Sequence, residues 1–242
     1  ASPVATEDKI YVTGRSGNTA VLTPGEKLKI EQINKLGEPI DASPAIVGNE
    51  IYLRSRTHLY CIAETTSPHR PTNPELTKPK AELTASVELS DLDNDGDLDV
   101  LIANGRHWGG PNRAFYNNGE GIFTHMTTIG TGKDRSYAAR ALDYNGDGLM
   151  DVAIANDRQQ SRIYLGQKEK KFIRGPAIGP VIQNTRNLIV ADLDGDKKPD
   201  ILIANRRAAN FIYNYTTKGN LFNGRIIGSG ADSTIDVAIG DL

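Results

Sequence analysis

The stretch "DLDNDGDLDVLIAN", residues 91–104, places an aspartate at every second position of its first part and then becomes apolar. Carboxylates this close together repel one another strongly unless a cation or hydrogen-bond donors compensate their charge. The apolar run that follows is typical of a buried strand. The aspartates concerned are Asp91, Asp93, Asp95, Asp97 and Asp99. The stretch therefore predicts a charged loop next to a buried strand, and it raises the question of what neutralises the loop.

The same pattern occurs three times along the chain. "DYNGDGLMDVAIAN" begins at residue 143 and "DLDGDKKPDILIAN" at residue 192, at intervals of 52 and 49 residues. A further 49 residues lead to Asp241 in "VAIGDL". Because this fourth copy stops two residues into its acidic loop, and because the chain begins with Ala1, we expect a fragment of a longer repeat protein.

The N-terminal part carries a different repeat. "ASPVATEDKIYVTGRSGNTAVL" from Ala1 is echoed by "ASPAIVGNEIYLRSRTHLYCI" from Ala42, 41 residues later. Between the two repeat types lies "AETTSPHRPTNPELTKPKAELTA", residues 63–85, with four of the twelve prolines. Because proline cannot donate to a β-ladder, we expect residues 64–85 to form a linker or an edge-wrapping segment.

Strand and turn signals fill each unit. In the second acidic repeat, "AARAL" precedes the acidic turn, and "DVAIAN", "SRIYLG" and "KKFIRGPAI" follow it as three further short strands. Four antiparallel strands in about 40–50 residues are typical of a β-propeller blade, whose two faces must be covered by neighbouring blades. The sequence therefore predicts an all-β protein, a β-propeller of four-stranded antiparallel blades.

The predicted domain organisation follows from the repeats. Residues 1–63 form two blades, residues 64–85 the linker, and residues 86–242 three acidic blades plus the first strand of a fourth, so that about five blades are present. Two arrangements remain open: the two repeat types share one ring, or they belong to two propellers. A shared ring is favoured because two isolated blades would expose too much apolar sheet.

Composition excludes several classes of protein. The 242 residues are 38% hydrophobic, and a net charge of −2 provides no global field for nucleic acid or a membrane surface. No stretch approaches the roughly 18 apolar residues of a membrane span, and no signal peptide is present. Cys61 is the sole cysteine, which excludes an internal disulfide and a cysteine-based metal cluster.

The spacing of oxygen ligands in the acidic loops indicates calcium. Each loop offers side-chain oxygens at positions 1, 3, 5 and 9 and a backbone carbonyl at position 7, and Ca²⁺ accepts about six to eight oxygens. The nitrogen and sulfur ligands that zinc and copper prefer are lacking. We predict up to three Ca²⁺ sites, with these ligands: Asp91, Asp93, Asp95, Asp97 and Asp99; Asp143, Asn145, Asp147, Leu149 and Asp151; Asp192, Asp194, Asp196, Lys198 and Asp200.

The loops differ from an EF-hand and from one another. Position 12, where an EF-hand has a glutamate before a helix, is Ile102, Ile154 or Ile203, each within an apolar strand. In the third loop Lys197 replaces the turn glycine and must adopt a glycine-like conformation at a cost of about 1 kcal/mol, so we expect this site to be the weakest. The alternative is that the residues only form hairpin turns, which explains one such loop but not three in the same phase.

The acidic repeats resemble the FG-GAP/VCBS repeats of integrin α-subunit propellers and of many secreted bacterial proteins. The resemblance covers residues 86–242 and includes "GGPNRAFYNNGEGIFT", which is similar to that family's third and fourth strands. It implies that the cations lie between the first and second strands and serve structure rather than chemistry. Residues 1–63 resemble PQQ-like propeller repeats through "ASPV…KIYV" and "ASPAIVGNEIYL…LYCI", although nothing in them suggests a quinone pocket.

Propeller topology places a second set of residues on the face opposite the acidic loops. Turns between second and third strands, and the connections between blades, emerge there. Their cationic and aromatic side chains are suited to an anionic glycan or an acidic peptide; ordinary solvated arginines are the alternative. The predicted ligand-binding residues are Arg106, His107, Trp108, Arg135, Tyr137, Arg158 and Arg206, accompanied by Lys133, Asn184, Arg186 and Arg207.

The sequence predicts a secreted, cell-surface or periplasmic calcium-binding propeller that binds a glycan or an extracellular protein, with neither nucleic-acid binding nor membrane insertion. The four histidines show no metalloprotease spacing, and no serine elbow or phosphate loop occurs. The alternatives are a polysaccharide lyase assembled from His107, Tyr137 and Arg135, and a purely structural interaction domain of a larger extracellular chain.

Overall fold

The computed structural model describes residues 3–6, 8–24, 29–40, 43–47, 50–55, 58–63, 82–179, 182–215, 224–230 and 233–239. Nineteen β-strands provide the regular secondary structure of these residues. They include no helix of the length and apolar character that a membrane crossing needs. The all-β prediction is confirmed.

The first two sheets correspond to the N-terminal repeats. Blade one has the order β1-β2-β3-β4, and blade two has three described strands in the order β5-β6-β7. The strands of blade one are β1 (Val4–Ala5), β2 (Ile10–Thr13), β3 (Asn18–Thr23) and β4 (Lys29–Lys35). Those of blade two are β5 (Ala45–Val47), β6 (Glu50–Arg54) and β7 (Leu59–Ala63).

Each of the three acidic repeats forms a four-stranded antiparallel blade. Blade three comprises β8 (Thr84–Ser90), β9 (Asp99–Asn104), β10 (Gly110–Asn117) and β11 (Phe123–Asp134). Blade four comprises β12 (Ser136–Leu142), β13 (Asp151–Gln159), β14 (Arg162–Gln167) and β15 (Lys171–Ala177). Blade five comprises β16 (Gln183–Ala191), β17 (Asp200–Asn205), β18 (Asn210–Tyr213) and β19 (Arg225–Ile227). These four-stranded antiparallel sheets agree with the predicted β-propeller class.

The continuous apolar runs arise because both faces of a blade are buried. Along β9, Val100 and Ile102 belong to an apolar cluster that includes Ala45 of blade two at its edge. Leu101 and Ala103 point the other way, into a cluster shared with blade four. Alternation with period two thus sends successive side chains into two different interblade cores, and a third such core lies between blades four and five.

Blades four and five are joined by backbone as well as by side chains. The end of β13 extends past blade four and pairs with β16, with Asp157 opposite Asn184 and Gln159 opposite Gln183. The two blades therefore form one eight-stranded sheet.

A buried asparagine occupies the sixth position of the second strand in each acidic repeat. Its side-chain oxygen accepts a hydrogen bond of 2.8–2.9 Å from a hydroxyl at or near the start of the first strand. Its amide nitrogen donates to a backbone carbonyl close to the start of the third strand. The pairs are Thr84–Asn104, Ser136–Asn156 and Thr185–Asn205. This repeated contact fixes the turns of the face opposite the acidic loops.

The first strands surround a central cavity of about 630 Å³. Its lining includes Val4 of β1, Pro44 just before β5, and residues of β8, β12 and β16. Residues 235–238, where the first strand of a fourth acidic copy was expected, also line this cavity. Both repeat types therefore contribute to one cavity.

The boundaries of the predicted linker and of the fourth copy differ slightly from the structure. Residues 64–81 lie outside the described residues, but β8 begins at Thr84, two residues before the predicted blade boundary at residue 86. Glu82 is also tied to blade three, by an ion pair of 2.6 Å with Arg113. At the other end, the described residues 233–239 form no regular strand, and their backbone contacts blade five at Ser233 and Thr234.

Candidate metal-binding loops and the opposite face

The three acidic loops connect the first and second strands of blades three, four and five. The aspartate at position 9 of each loop is also the first residue of the second strand, where the sheet covers it completely. Asp99, Asp151 and Asp200 are each 0% exposed.

Backbone amides hold both oxygens of each buried aspartate. Asp151 Oδ2 accepts from the amide of Tyr144 at 3.0 Å, and Oδ1 accepts from Gly166, just after the third strand's apolar stretch, at 2.7 Å. The same two bonds recur at Asp99 and at Asp200. The position-9 aspartate therefore fastens the acidic loop to the third strand of its own blade.

Burial makes two of these carboxylates weaker acids than a solvent-exposed aspartate. It raises the pKa of Asp99 and of Asp151 to about 6, although the amide donors act in the opposite direction. A cation beside such a carboxylate favours the charged form and lowers its pKa.

The exposed part of each loop is shaped by its own carboxylates. In the second loop, Asp143 accepts from the amides of Gly146, Asp147 and Gly148 at 2.9–3.2 Å. The position-5 carboxylate of Asp147 accepts from Leu149 at 2.8 Å. The first and third loops each repeat two of the three contacts to the position-1 aspartate and the contact to the position-5 aspartate. The three loops thus share one backbone conformation.

Left-handed backbone at positions 4 and 6 tightens each loop. Lys197 has φ of 65°, which confirms that it adopts the conformation predicted from its alignment with Gly96 and Gly148. Asn94 also has a positive φ, of 60°, where the other two loops have glycine. The expectation that the third site binds most weakly remains a prediction.

The donor set fits a hard divalent cation. Carboxylate oxygens of Asp91, Asp93 and Asp99 lie within 4.8 Å of one another, and the equivalent group in the third loop does the same. Asp93 Oδ1 is a buried atom without a hydrogen-bond partner, and such an atom is costly unless a ligand or water completes it. In the second loop the same position is the amide oxygen of Asn145. These acidic clusters are therefore able to bind a metal ion.

The first loop has contacts with blade four on both sides. Asn94 Nδ2 donates to the carbonyl of Gly148, in the second loop, at 2.8 Å. Lys170 Nζ, from the turn between β14 and β15, lies 2.5 Å from Asp93 Oδ2. Neither contact was predictable from the sequence, since each joins two different repeats and Lys170 lies outside the repeated motif.

On the opposite face, a cluster forms around Asp157. This carboxylate is 0% exposed, accepts from Arg186 Nη1 at 2.8 Å and lies 3.1 Å from His107 Nδ1. The hydroxyl of Tyr137 is 3.2 Å from His107 Nε2, and the Arg186 guanidinium lies over the Tyr137 ring, 4.3 Å from its centroid. Burial opposes ionisation of Asp157, but Arg186 and His107 outweigh it and lower the pKa of the carboxyl.

The structure brings together some of the predicted ligand-binding residues and leaves others apart. Trp108 is 64% exposed beside His107, and Arg106 lines the central cavity with Tyr137. Arg158 lies 3.6 Å from Asp157, largely exposed. Arg206 is exposed on the turn of blade five, and the contacts that hold the cluster involve Arg186 rather than Arg135. Sequence analysis missed Asp157 itself; the only signal was an acidic residue directly after "IAN" in one repeat of three.

The fold defines the class, a β-propeller, and part of the chain carries FG-GAP-like repeats. The model of the FG-GAP-like repeat matches residues 91–154 and 143–203. These matches contain the first two acidic loops and the third loop with its second strand. The VCBS part of the resemblance, and its extension to residues 86–242, stay predictions.

Solved structures show the same fold. A protein of unknown function from Bacteroides caccae is similar with a TM-score of 0.55 and 17% identity, over 92% of this chain and 72% of that chain. A quinohemoprotein alcohol dehydrogenase from Pseudomonas putida HK5 is similar with a TM-score of 0.53 and 11% identity, over 93% of this chain and 41% of that chain. No curated protein matches the sequence. At these identities the similarity concerns the fold alone.

Proposed function

We propose that this protein is a calcium-stabilised β-propeller that binds an extracellular glycan or protein through the face opposite its acidic loops. The observation that carries the calcium part is the repetition of one loop conformation with converging oxygen ligands. Asp, Asn and backbone oxygens in this number suit Ca²⁺ better than zinc or copper. Three ions would then sit along one rim, in the loops that begin at Asp91, Asp143 and Asp192.

The binding part of the proposal rests on the cluster around Asp157. A buried carboxylate orients His107 and Arg186 and thereby holds Tyr137, so the side chains next to the exposed Trp108 are fixed before any ligand arrives. Preorganised aromatic and cationic groups are typical of sites that bind sugars carrying acidic groups. We favour an acidic glycan as the ligand, and an outside-cell location, where calcium is abundant, is part of the same proposal.

Calcium should raise the melting temperature. A site held at a hundred times its Kd adds about 2.7 kcal/mol to the free energy of unfolding, and two or three such sites should raise Tm by at least about 10–16 °C. The measurement is a thermal melt in excess EDTA, in millimolar Ca²⁺ and in millimolar Mg²⁺. Equal melting temperatures in all three would show that the loops are only hairpin turns, and an equal rise with Mg²⁺ would refute the preference for calcium.

Trp108→Ala should weaken glycan binding without changing stability. Because the indole is 64% exposed, its loss leaves the core intact, whereas removal of a central aromatic contact costs roughly tenfold or more in affinity. Binding is measured against a polyuronate, a sulfated polysaccharide and a neutral glucan. Ile173→Ala, which removes an exposed side chain from β15, is the matched control.

The same experiment separates the alternative functions. Conversion of a polyuronate by the wild-type protein, lost in His107→Ala, would support a lyase, for which the contact between His107 and Tyr137 supplies a possible acid–base pair. Binding to none of the polysaccharides would refute the glycan as ligand and leave a protein partner.

A further inference from the structure

Lys170 brings a positive charge from blade four to the first acidic loop of blade three. Its ammonium lies 2.5 Å from Asp93 Oδ2 and 4.6 Å from the centroid of the Tyr116 ring. The side chain is 34% exposed and that of Asp93 17%. Asp93 holds position 3 of the loop, so the ammonium pairs with one oxygen of a carboxylate whose other oxygen, Oδ1, is buried without a hydrogen-bond partner and is available to the proposed calcium ion.

The backbone around Lys170 is fixed in this position. Glu169 and Lys170 have φ of 63° and 59°, two successive left-handed residues in the turn between β14 and β15. The Lys170 carbonyl accepts from Thr127 Oγ1, on β11 of blade three, at 2.6 Å. Because blade three holds the Lys170 backbone, the side chain is directed into the cavity of about 310 Å³ that this turn shares with the first loop.

We propose that Lys170 and Ca²⁺ compete for Asp93, so that Lys170 sets the affinity of the first loop. This inference rests on the proposed calcium function. A divalent ion bound through Asp93 Oδ1 would share this carboxylate with the ammonium, and the two positive charges repel each other. Calcium therefore binds the first loop against the charge of Lys170, and binding is favoured when Lys170 withdraws from Asp93. The first loop, despite its five aspartates, binds calcium less tightly than its carboxylates alone would allow.

The second loop differs from the first at position 3, the position that Lys170 contacts in the first loop. Asn145 replaces the position-3 aspartate, and a neutral amide offers an ammonium no opposite charge to pair with. In the third loop, Asp194 Oδ2 accepts from the neutral amide of Asn214 at 2.8 Å. Among the described residues, an ammonium on the position-3 carboxylate is thus a property of the first loop, and it links the cation to the junction between blades three and four.

Calorimetric titration with CaCl₂ tests the proposal in a protein where Asp147→Asn and Asp196→Asn weaken the other two loops. In this background, Lys170→Gln should bind Ca²⁺ at the first loop roughly tenfold more tightly. Lys171→Gln is the matched control: it removes the same charge one residue away from a side chain that pairs with Glu169 instead. Its affinity should stay within twofold of the background protein.

Stability supplies a second readout. In EDTA, Lys170→Gln should lower Tm relative to Lys171→Gln, because Asp93 then loses its cationic partner, and millimolar Ca²⁺ should abolish the difference. Equal calcium affinities for the two lysine variants would overturn the competition while calcium binding stands. If the chain with wild-type loops binds no Ca²⁺, the proposed function fails, and this inference fails with it.

Discussion

Asp157→Ala should lower the free energy of unfolding by about 3–5 kcal/mol, the usual loss when one partner of a buried ion pair is removed. The Arg186 side chain is only 7% exposed and lies 2.8 Å from the carboxylate, so the substitution leaves a buried guanidinium without its counter-charge. Urea denaturation at pH 7 in saturating Ca²⁺ measures the effect. A loss below 1 kcal/mol would mean that Arg186 finds water or another partner.

His107→Ala is the control for this prediction. The His107 side chain is 43% exposed, and exposed ion pairs contribute about 0–1 kcal/mol. This variant should therefore unfold within about 1 kcal/mol of the wild-type protein while it removes a ring from the proposed binding face.

The Asp157 contribution should also depend on pH. Its partners lower the pKa of the folded carboxyl, so the unfolded state takes up a proton first as the pH falls. The stabilisation is complete well above the pKa of an unfolded aspartate, about 3.9, and is lost as the pH drops through the folded value. The difference between wild type and Asp157→Ala should therefore shrink below about pH 4.

Asp151→Ala should destabilise the protein by about 3 kcal/mol in EDTA and by more in Ca²⁺, where a proposed calcium ligand is lost as well. Its two oxygens satisfy the amides of Tyr144 and Gly166, and each buried donor left without a partner costs about 1–3 kcal/mol. The position-9 aspartate thus supports the loop even when no cation is bound. Urea denaturation under both conditions is the measurement.

Asp147→Ala, in the same loop, separates the two roles of the carboxylates. Its side chain is exposed and accepts from groups of its own loop, so its loss should leave stability in EDTA nearly unchanged and reduce the gain from Ca²⁺. If Asp151→Ala and Asp147→Ala lowered the free energy of unfolding equally little in EDTA, the hydrogen bonds of the position-9 aspartate would contribute little to stability.

The acidic loops were predictable because their contacts are local. The spacing of Asp143, Asn145 and Asp147 determines which amides each carboxylate reaches, and the sequence displays that spacing directly. The strands were predictable for a similar reason, since period-two patterns and turn residues occur in every repeat. Because the same spacing of side-chain oxygens occurs in three loops, the predicted ligand positions could be distinguished from ordinary turn residues.

Contacts between blades could not be predicted in the same way. Asp157 and His107 are 50 residues apart in the chain, and their meeting depends on how far each turn projects from its sheet. Lys170 reaches Asp93 because of two left-handed residues and a hydrogen bond from another blade. No repeated motif marks either pair, so the lyase hypothesis named Arg135 where the structure supplies Arg186.

The pairing of β13 with β16 limits how blades four and five can separate during local unfolding. Because the pairs Asp157–Asn184 and Gln159–Gln183 make blades four and five one continuous sheet, neither blade can separate at this edge without breaking backbone hydrogen bonds. The two blades should therefore behave as a single cooperative unit, whose amide protons exchange with solvent together. Blades three and four are joined by the isolated backbone bridge of Gly105 with Ser136 and by side chains, so the joint between them should open before that between blades four and five.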